Sequence, residues 1–166
     1  YRQIINTGAE MYHPIFVNSQ FRRGYLCGQV DPRNLTDVTE MVRQGIELNQ
    51  LNRNIMIKMP GTKEGIYGIT VLTALGIPTN ATLTFTLAQL IAVAEAVKLG
   101  LSIARQNQVD LSQWRSAVTF MLGRFEDCKI FDDTARQAGV TISETDRRWA
   151  GIAIFKKAYR IFQQRR

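Results

Sequence analysis

The stretch NIMIKMPGTKEG, residues Asn54 to Gly65, decides which fold this sequence predicts. Its first half is a short apolar run, and such runs are typical of strands buried in a parallel sheet. A single lysine, Lys58, interrupts the run and is followed closely by Pro60-Gly61. Lysines are almost never fully buried without a partner. Either the Lys58 ammonium reaches water at the end of the strand, or the amine is kept for chemistry.

Strand-like and helix-like segments alternate on both sides of this run. The strand pattern recurs at 24–30 (GYLCGQV), 79–85 (TNATLTF) and 116–122 (SAVTFML). Helical periodicity recurs at 36–50, between the cap Thr62 and the stop at Gly76, at 87–105 and at 144–163. The last helix is expected to bury Trp149, Ile152, Phe155, Tyr159 and Phe162, after a polar, acidic excursion that follows Arg124. The sequence therefore predicts four strand–helix units in a single domain, residues 1–166.

Repeated strand–helix units predict an α/β protein with a parallel sheet, either doubly wound or a (β/α)₈ barrel. A complete barrel typically needs about 250 residues, whereas this chain has 166. Four units make half a barrel, with two unpaired edges and an uncovered inner face. We therefore expect a partial barrel of the TIM type, completed either by units outside this sequence or by a second copy.

Composition narrows the classes of function. The two cysteines, Cys27 and Cys128, are far apart, so neither a disulfide framework nor a zinc site is expected, and a reducing, cytoplasmic setting fits best. No apolar run looks long enough to span a bilayer, and no membrane partner is expected. The only histidine, His13, is expected in a loop, which leaves a histidine relay unsupported. The net charge of +7 is concentrated near the C-terminus, where a solvated helix face is expected rather than a nucleic-acid interface.

Polar side chains share one face of each predicted strand. Alternation along a strand places Lys58 with Met56 on the inner face of the barrel. The same rule groups Asn80 with Thr82 and Thr84, Gln29 with Asp31, and Ala117 with Thr119 and Met121. Barrel active sites lie at the C-terminal ends of the strands, and a purely structural inner face would be filled with branched apolar residues. This pattern favours an active site that uses Lys58 over a structural lysine that only reaches solvent at the end of its strand.

The chemistry that fits Lys58 is the formation of a Schiff base with a ketone or aldehyde. An amine reacts as a nucleophile only when neutral, and partial desolvation on the inner face favours that form. Asn80 and Thr82 bring uncharged groups that can bind substrate hydroxyls or orient the amine. Arg124, just after the fourth strand, can clamp a phosphate. It can equally be a surface arginine paired with Glu126 or Asp127, and the sequence leaves both open.

Three segments carry a family resemblance: IMIKMPGTKEGI, GIPTNATLTFTLAQ and the SAVTFMLGR strand with its excursion. From about Gly24 to the last helix, the chain resembles the transaldolase family of class I, Schiff-base aldolases, including its fructose-6-phosphate-aldolase-like branch. The resemblance implies a (β/α)₈ barrel that acts on sugar phosphates by cleaving or transferring a dihydroxyacetone unit, in carbohydrate metabolism of the pentose-phosphate type. It also implies that neither a metal nor an organic cofactor is needed.

The resemblance assigns roles by position. Lys58 matches the Schiff-base lysine, and Asn80 and Thr82 match the asparagine and threonine beside it, the threonine helping to hold a catalytic water. Thr119 falls where the family usually has a serine near the substrate, and Arg124 matches a phosphate-binding arginine. Asp31 and Met121 complete the predicted substrate-binding face.

Some positions depart from the family pattern. Transaldolases carry a glutamate that works with the catalytic water where this chain has Gln29, and an amide cannot take a proton. Fructose-6-phosphate aldolases also have glutamine there but pair it with a tyrosine, whose place here is taken by Met121. The first-strand aspartate and the seventh-strand serine and arginine of the family have no counterpart in these 166 residues.

Three functions therefore stay open. The first is a transaldolase-like enzyme. The second is a catalytically impaired barrel that binds sugar phosphates or regulates. The third and weakest is a nucleic-acid-binding protein that uses the basic C-terminal helix.

Overall fold

The computed structural model describes residues 1–164, without the side chain of Phe125. Four strands alternate with helices along the chain. The strands are β1 (Leu26–Gln29), β2 (Ile55–Pro60), β3 (Thr79–Thr84) and β4 (Ser116–Phe120). The α-helices are α1 (Arg2–Asn18), α2 (Val38–Asn49), α3 (Lys63–Ala74), α4 (Leu87–Gln106), α5 (Lys129–Gln137) and α6 (Glu144–Gln164). Short 3₁₀ helices at Pro32–Asn34 and Gly123–Phe125 follow β1 and β4.

The strands form one parallel sheet in the order β1-β2-β3-β4. Each strand lies beside the next one along the chain, as expected for a segment of a barrel wall. The α/β class, the parallel sheet and the four strand–helix units predicted from the sequence are confirmed. This alternation is consistent with part of a TIM-type barrel.

Side-chain caps fix the turns from strand to helix. Asp37, Thr62 and Thr86 accept hydrogen bonds from the backbone N–H groups three residues on, at the starts of α2, α3 and α4. Thr86 also forms a capping box with Gln89. Because each cap fixes where its helix begins, it also fixes where the preceding strand delivers its C-terminal residues.

The core lies between the sheet and the helices on one of its faces. Ile55, Ile57 and Met59 of β2 are fully buried there. The cluster extends through α2, α3 and α4 by way of Met41, Leu48, Ile69, Leu72, Val93 and Ala96. On the other face Gln29 and Ala117 are exposed to solvent. The predicted open inner face is therefore present within the described residues.

Two helices were not predicted. Helix α1 runs through His13 and Pro14, so the prediction of a loop at His13 is wrong. Two features make this helix hard to predict from the sequence. A proline inside a helix normally breaks the helical pattern, and α1 buries only Ala9 and Phe16, so few of its positions have to be apolar. The polar excursion after Arg124 also contains a helix, α5, whose Asp132 pairs with Arg147 of α6.

The predicted burial of the last helix is wrong. The aromatic and aliphatic side chains of α6 remain substantially exposed, with Trp149 and Tyr159 both at 56%. The others of this set are Ile152, Phe155 and Phe162. Only Gly151 and Ala158 of α6 are buried. The amphipathic pattern predicted the helix correctly. The apolar side of α6 lies near β4, the edge strand of the sheet, where few described residues cover it.

Helix α4 corrects another expectation. By length and composition alone it is long and apolar enough to cross a membrane, whereas the sequence was expected to contain no such run. A single helix of this kind is weak grounds for a membrane span, because core helices pass the same test. In this fold α4 packs against α3 and buries Leu90, Val93 and Ala104.

Candidate functional site

Lys58 lies at the centre of a row of registered residues on the open face. Its Cα partners are Gln29 on β1 and Asn80 on β3, and Asn80 is in turn paired with Ala117 on β4. Registered residues of parallel strands point to the same side of the sheet. The Lys58 side chain is half-buried, and within residues 1–164 its ammonium has no hydrogen-bond or ion-pair partner. An amine held on a sheet without a counter-charge is free to meet a ligand.

The Asn80 amide is held from both sides. Thr119 Oγ1 on β4 donates a hydrogen bond of 2.9 Å to Asn80 Oδ1. Asn80 Nδ2 donates one of 3.4 Å to Cys27 Sγ on β1. The structure therefore brings together Asn80 and Thr119, as the sequence predicted, and adds Cys27. Cys27 lies two residues before Gln29, so the alternation that selected Gln29 would also have selected it.

A bulge in β3 changes which threonines face the site. Ala81 pairs with Val118, but Thr84 pairs with Phe120, which leaves one extra residue in β3. Leu83 adopts a left-handed backbone (φ +57°) and is 43% exposed. Thr84 therefore shares the helix-covered side with Phe120 and is fully buried, so its predicted place beside Asn80 and Thr82 is wrong.

Thr82 keeps the face that alternation predicted, whereas the face of Met121, which lies just after β4, stays a prediction. Thr82 is buried and pairs with Pro60, two residues after Lys58, and its carbonyl accepts a hydrogen bond from the Gly61 N–H at 2.6 Å. Met121 follows β4 directly, and its N–H donates to the Thr84 carbonyl at 2.9 Å. The Pro60-Gly61 turn after Lys58 thus ties the end of β2 to the end of β3.

Gln29 stands at the free edge of the sheet. Its side chain is exposed, while its backbone N–H donates to Tyr1 Oη at 2.6 Å and its carbonyl accepts from the same hydroxyl at 2.9 Å. The amide side chain therefore has room for a water or substrate. Its predicted catalytic role stays a prediction.

Asp31 is engaged with its own loop. Its carboxylate accepts from Arg33 N at 2.9 Å and from Arg33 Nε at 3.0 Å, and so caps the short helix Pro32–Asn34. These bonds to Arg33 lower the pKa of Asp31 to about 2. The Asp31 carboxylate is therefore already bound to a guanidinium, and its predicted role in substrate binding stays a prediction.

Arg124 lies in the short helix Gly123–Phe125 at the end of β4. It is exposed and, within residues 1–164, has no ion-pair partner, so the alternative pairing with Glu126 or Asp127 is not formed. Helix α6 supports this segment closely, since a Cβ atom at Gly151 would lie 2.5 Å from the Leu122 carbonyl oxygen. The guanidinium is thus available to an anion.

The open face therefore combines the Lys58 amine, the oriented Asn80 amide, threonine hydroxyl groups and the Gln29 carboxamide. Among the described residues neither this amine nor the Arg124 guanidinium at the end of β4 has a charged partner. Within the described part of the chain, no three His, Cys, Asp or Glu side chains are grouped to hold a metal ion. The amine of this face can add to a carbonyl carbon of a ligand, and the surrounding polar groups can bind the ligand's hydroxyl groups.

Comparison with known proteins gives a consistent match. The family model described as transaldolase/fructose-6-phosphate aldolase matches residues 3–166. "Transaldolase 2" of Streptomyces avermitilis is 31% identical over 161 residues, which cover 96% of this chain and 43% of the relative. "Transaldolase" of Thiobacillus denitrificans is 31% identical over 160 residues, covering 95% and 44%. "Transaldolase" of Mycolicibacterium paratuberculosis is 33% identical over 149 residues, covering 89% and 39%. The chain thus spans less than half the length of these relatives.

Proposed function

The chain belongs to the transaldolase/fructose-6-phosphate aldolase family. On that basis we propose that it carries the Schiff-base lysine, Lys58, and neighbouring residues of an aldolase active site that acts on ketose phosphates. The observation that carries this proposal is the position of Lys58, in register between Gln29 and Asn80 on the open face, without a described counter-charge. An amine so placed can be approached by a substrate carbonyl from the solvent side.

The proposed reaction begins when neutral Lys58 Nζ adds to the C2 carbonyl of the ketose, and loss of water gives an iminium. The C3–C4 bond then breaks, its electron pair moves into the iminium to give an enamine, and the C4 hydroxyl gives up its proton to water as the aldehyde leaves. The enamine either takes up a proton, after which hydrolysis releases dihydroxyacetone, or forms a carbon–carbon bond with a second aldehyde, whose oxygen takes up a proton before hydrolysis of the new iminium releases the product ketose. The first course is cleavage and the second is transfer.

The residues around Lys58 divide the remaining tasks in this proposal. Asn80 and Thr119 bind hydroxyl groups of the substrate, and Thr82, which pairs with Pro60 beyond Lys58, helps to hold the water that leaves and returns. Arg124 binds the phosphate with charge-assisted hydrogen bonds. Gln29 positions water but relays no proton, because an amide has no acid–base function near neutral pH.

We also propose that the working site lies in a closed barrel and in the cytoplasm. Closure comes either from further strands or from a second copy, and it removes bulk water from the Lys58 face. A water-filled face stabilises the ammonium form of lysine, which is not nucleophilic. No metal and no organic cofactor take part in this scheme.

Borohydride trapping tests the proposal. The full-length protein is incubated with fructose 6-phosphate or dihydroxyacetone, reduced, digested and analysed by mass spectrometry, and the adduct is expected on Lys58. Lys58→Arg abolishes trapping because a guanidinium cannot lose its proton in a protein. Lys63→Arg, on the exposed first turn of α3, is the matched control and leaves trapping unchanged. An adduct on Lys63 or Lys98, or no adduct at all, would overturn the assignment.

A further inference from the structure

The Asn80 side chain joins three strands across the open face. Its Nδ2 atom reaches Cys27 on β1, its Oδ1 atom accepts from Thr119 on β4, and its own backbone lies on β3. Strand β2 lies between β1 and β3, so the amide extends over the inner side of β2. Cys27 is registered with Met56 and Asn80 with Lys58. The amide therefore lies beside the stem of Lys58.

The two hydrogen bonds determine which donors and acceptors of the Asn80 amide remain free for a ligand. A carboxamide has two N–H donors and two oxygen lone pairs. One N–H goes to Cys27 and one lone pair goes to Thr119, which leaves one donor and one acceptor for a ligand. Because both ends are tied, the amide plane cannot rotate without breaking a hydrogen bond.

We infer that Cys27 is a positioning residue which, together with the substrate-binding Thr119, fixes the Asn80 amide beside Lys58, so that its remaining donor and acceptor face the substrate. The inference rests on the proposed function, since the substrate meant is the ketose phosphate held at Lys58. The bond from Thr119 to Asn80 also determines whether the Thr119 hydroxyl can donate a hydrogen bond to the substrate or accept one from it. The single hydroxyl proton of Thr119 is given to Asn80, so Thr119 Oγ1 can only accept, and the substrate group above it has to be a donor such as a hydroxyl.

Substitution of Cys27 tests the inference by function. Cys27→Ala removes the acceptor, and trapping of the Lys58 adduct is expected to slow about three- to tenfold, the effect of one lost neutral hydrogen bond. Cys27→Ser restores an acceptor at the same place and is expected to recover most of the rate. Cys128→Ala is the control, because Cys128 lies outside the sheet before α5. Thr119→Val and Thr119→Ser probe the other bond, and because Thr119 also contacts the substrate in the proposed function, they are compared by the Asn80 amide resonances rather than by rate.

A spectroscopic measurement tests the contact without any substrate. The ¹⁵N–¹H resonances of the Asn80 side-chain amide, assigned by their loss in Asn80→Asp, are expected to shift in Cys27→Ala and in Thr119→Val. They stay in place in Cys128→Ala. Unmoved resonances in both variants, or a Cys27→Ala rate that Cys27→Ser does not recover, would overturn the inference. Absence of any trapping in the wild type would instead refute the proposed function, while the resonances still decide whether Cys27 holds Asn80.

Discussion

Gly65 and Pro60 approach so closely that a Cβ atom at position 65 would lie 2.7 Å from Pro60 Cγ and overlap the Pro60 carbonyl oxygen. Gly65 belongs to the first turn of α3, and Pro60 is the last residue of β2. The contact presses the start of the helix onto the end of the strand that carries Lys58. Backbone on one side and a ring on the other leave little room for adjustment.

Gly65→Ala is therefore expected to destabilise the chain by about 1–3 kcal/mol, the usual cost of overpacking, despite the better helix propensity of alanine. Thermal or urea unfolding measures the change. Gly123→Ala is the matched control, since a Cβ atom there meets nothing within 4 Å. Equal stability of Gly65→Ala and the wild type would show that β2 and α3 can separate.

Gln29→Glu is expected to raise the ratio of transfer to cleavage. A carboxylate can relay the proton of a bound water, whereas the amide can only position that water. With erythrose 4-phosphate as acceptor, we expect the ratio to rise at least about tenfold, which is below the roughly hundredfold or larger effect of a fully developed general acid–base group. Gln106→Glu adds the same charge at the exposed end of α4 and serves as control. An unchanged or lower ratio in Gln29→Glu would argue against this role.

Arg124→Met is expected to raise the KM for fructose 6-phosphate about ten- to hundredfold, since charge-assisted hydrogen bonds contribute about 1.5–3 kcal/mol. The KM for unphosphorylated dihydroxyacetone should hardly change. Steady-state kinetics with both donors gives the comparison. Arg136→Met is the control, because Arg136 already pairs with Asp133 on α5. A similar rise in KM for both donor substrates would mean that Arg124 does not bind the phosphate.

Acid should weaken the fold through Asp31 and Glu40. Hydrogen bonds from Arg33 lower the pKa of Asp31 from 3.8 to about 2, and those from Arg43 lower that of Glu40 from 4.5 to about 2. Because the folded values lie below the unfolded ones, the stabilisation is present above about pH 4.5 and is lost as the pH falls towards about 2. Urea unfolding of the wild type and of Asp31→Asn/Glu40→Gln checks this. The two proteins should converge in stability at the acid end, and parallel curves would contradict it.

Closure of the sheet should decide reactivity in the 166-residue chain. We expect this chain either to form a dimer through its free edges or to be an unreactive monomer, because water on the open face stabilises the Lys58 ammonium. Light scattering at low concentration, run beside the trapping assay, gives both quantities. A monomer of 18.8 kDa that traps ketose as fast as the full-length protein would refute the need for closure.

The sequence predicted the sheet well because its signals are local. The apolar run around Lys58, the cap at Thr62 and the stop at Gly76 each act within a few residues, and the structure has β2 and α3 where they indicate. Alternation also placed Asn80 and Thr119 on the face of Lys58, where they are hydrogen-bonded.

The failures have a common physical origin in tertiary contacts. Alternation cannot foresee the extra residue in β3, so Thr84 was assigned to the wrong side. The apolar stripe of α6 predicted a helix but not whether another element would cover Trp149. The salt link between Asp31 and Arg33 and the bond from Asn80 to Cys27 depend on side-chain geometry that no periodicity encodes.

The contact of Tyr1 with Gln29 has a consequence for the behaviour of the chain in solution. Unpaired N–H and C=O groups on an edge strand act as a template on which other chains add by β-sheet pairing. The Tyr1 hydroxyl takes up both backbone groups of Gln29, at 2.6 and 2.9 Å, so neither is left free for an incoming strand. A strand that closes the barrel against β1 therefore has to displace this phenol first, and the same contact makes the last ladder position of β1 a poor seed for fibrillar aggregation.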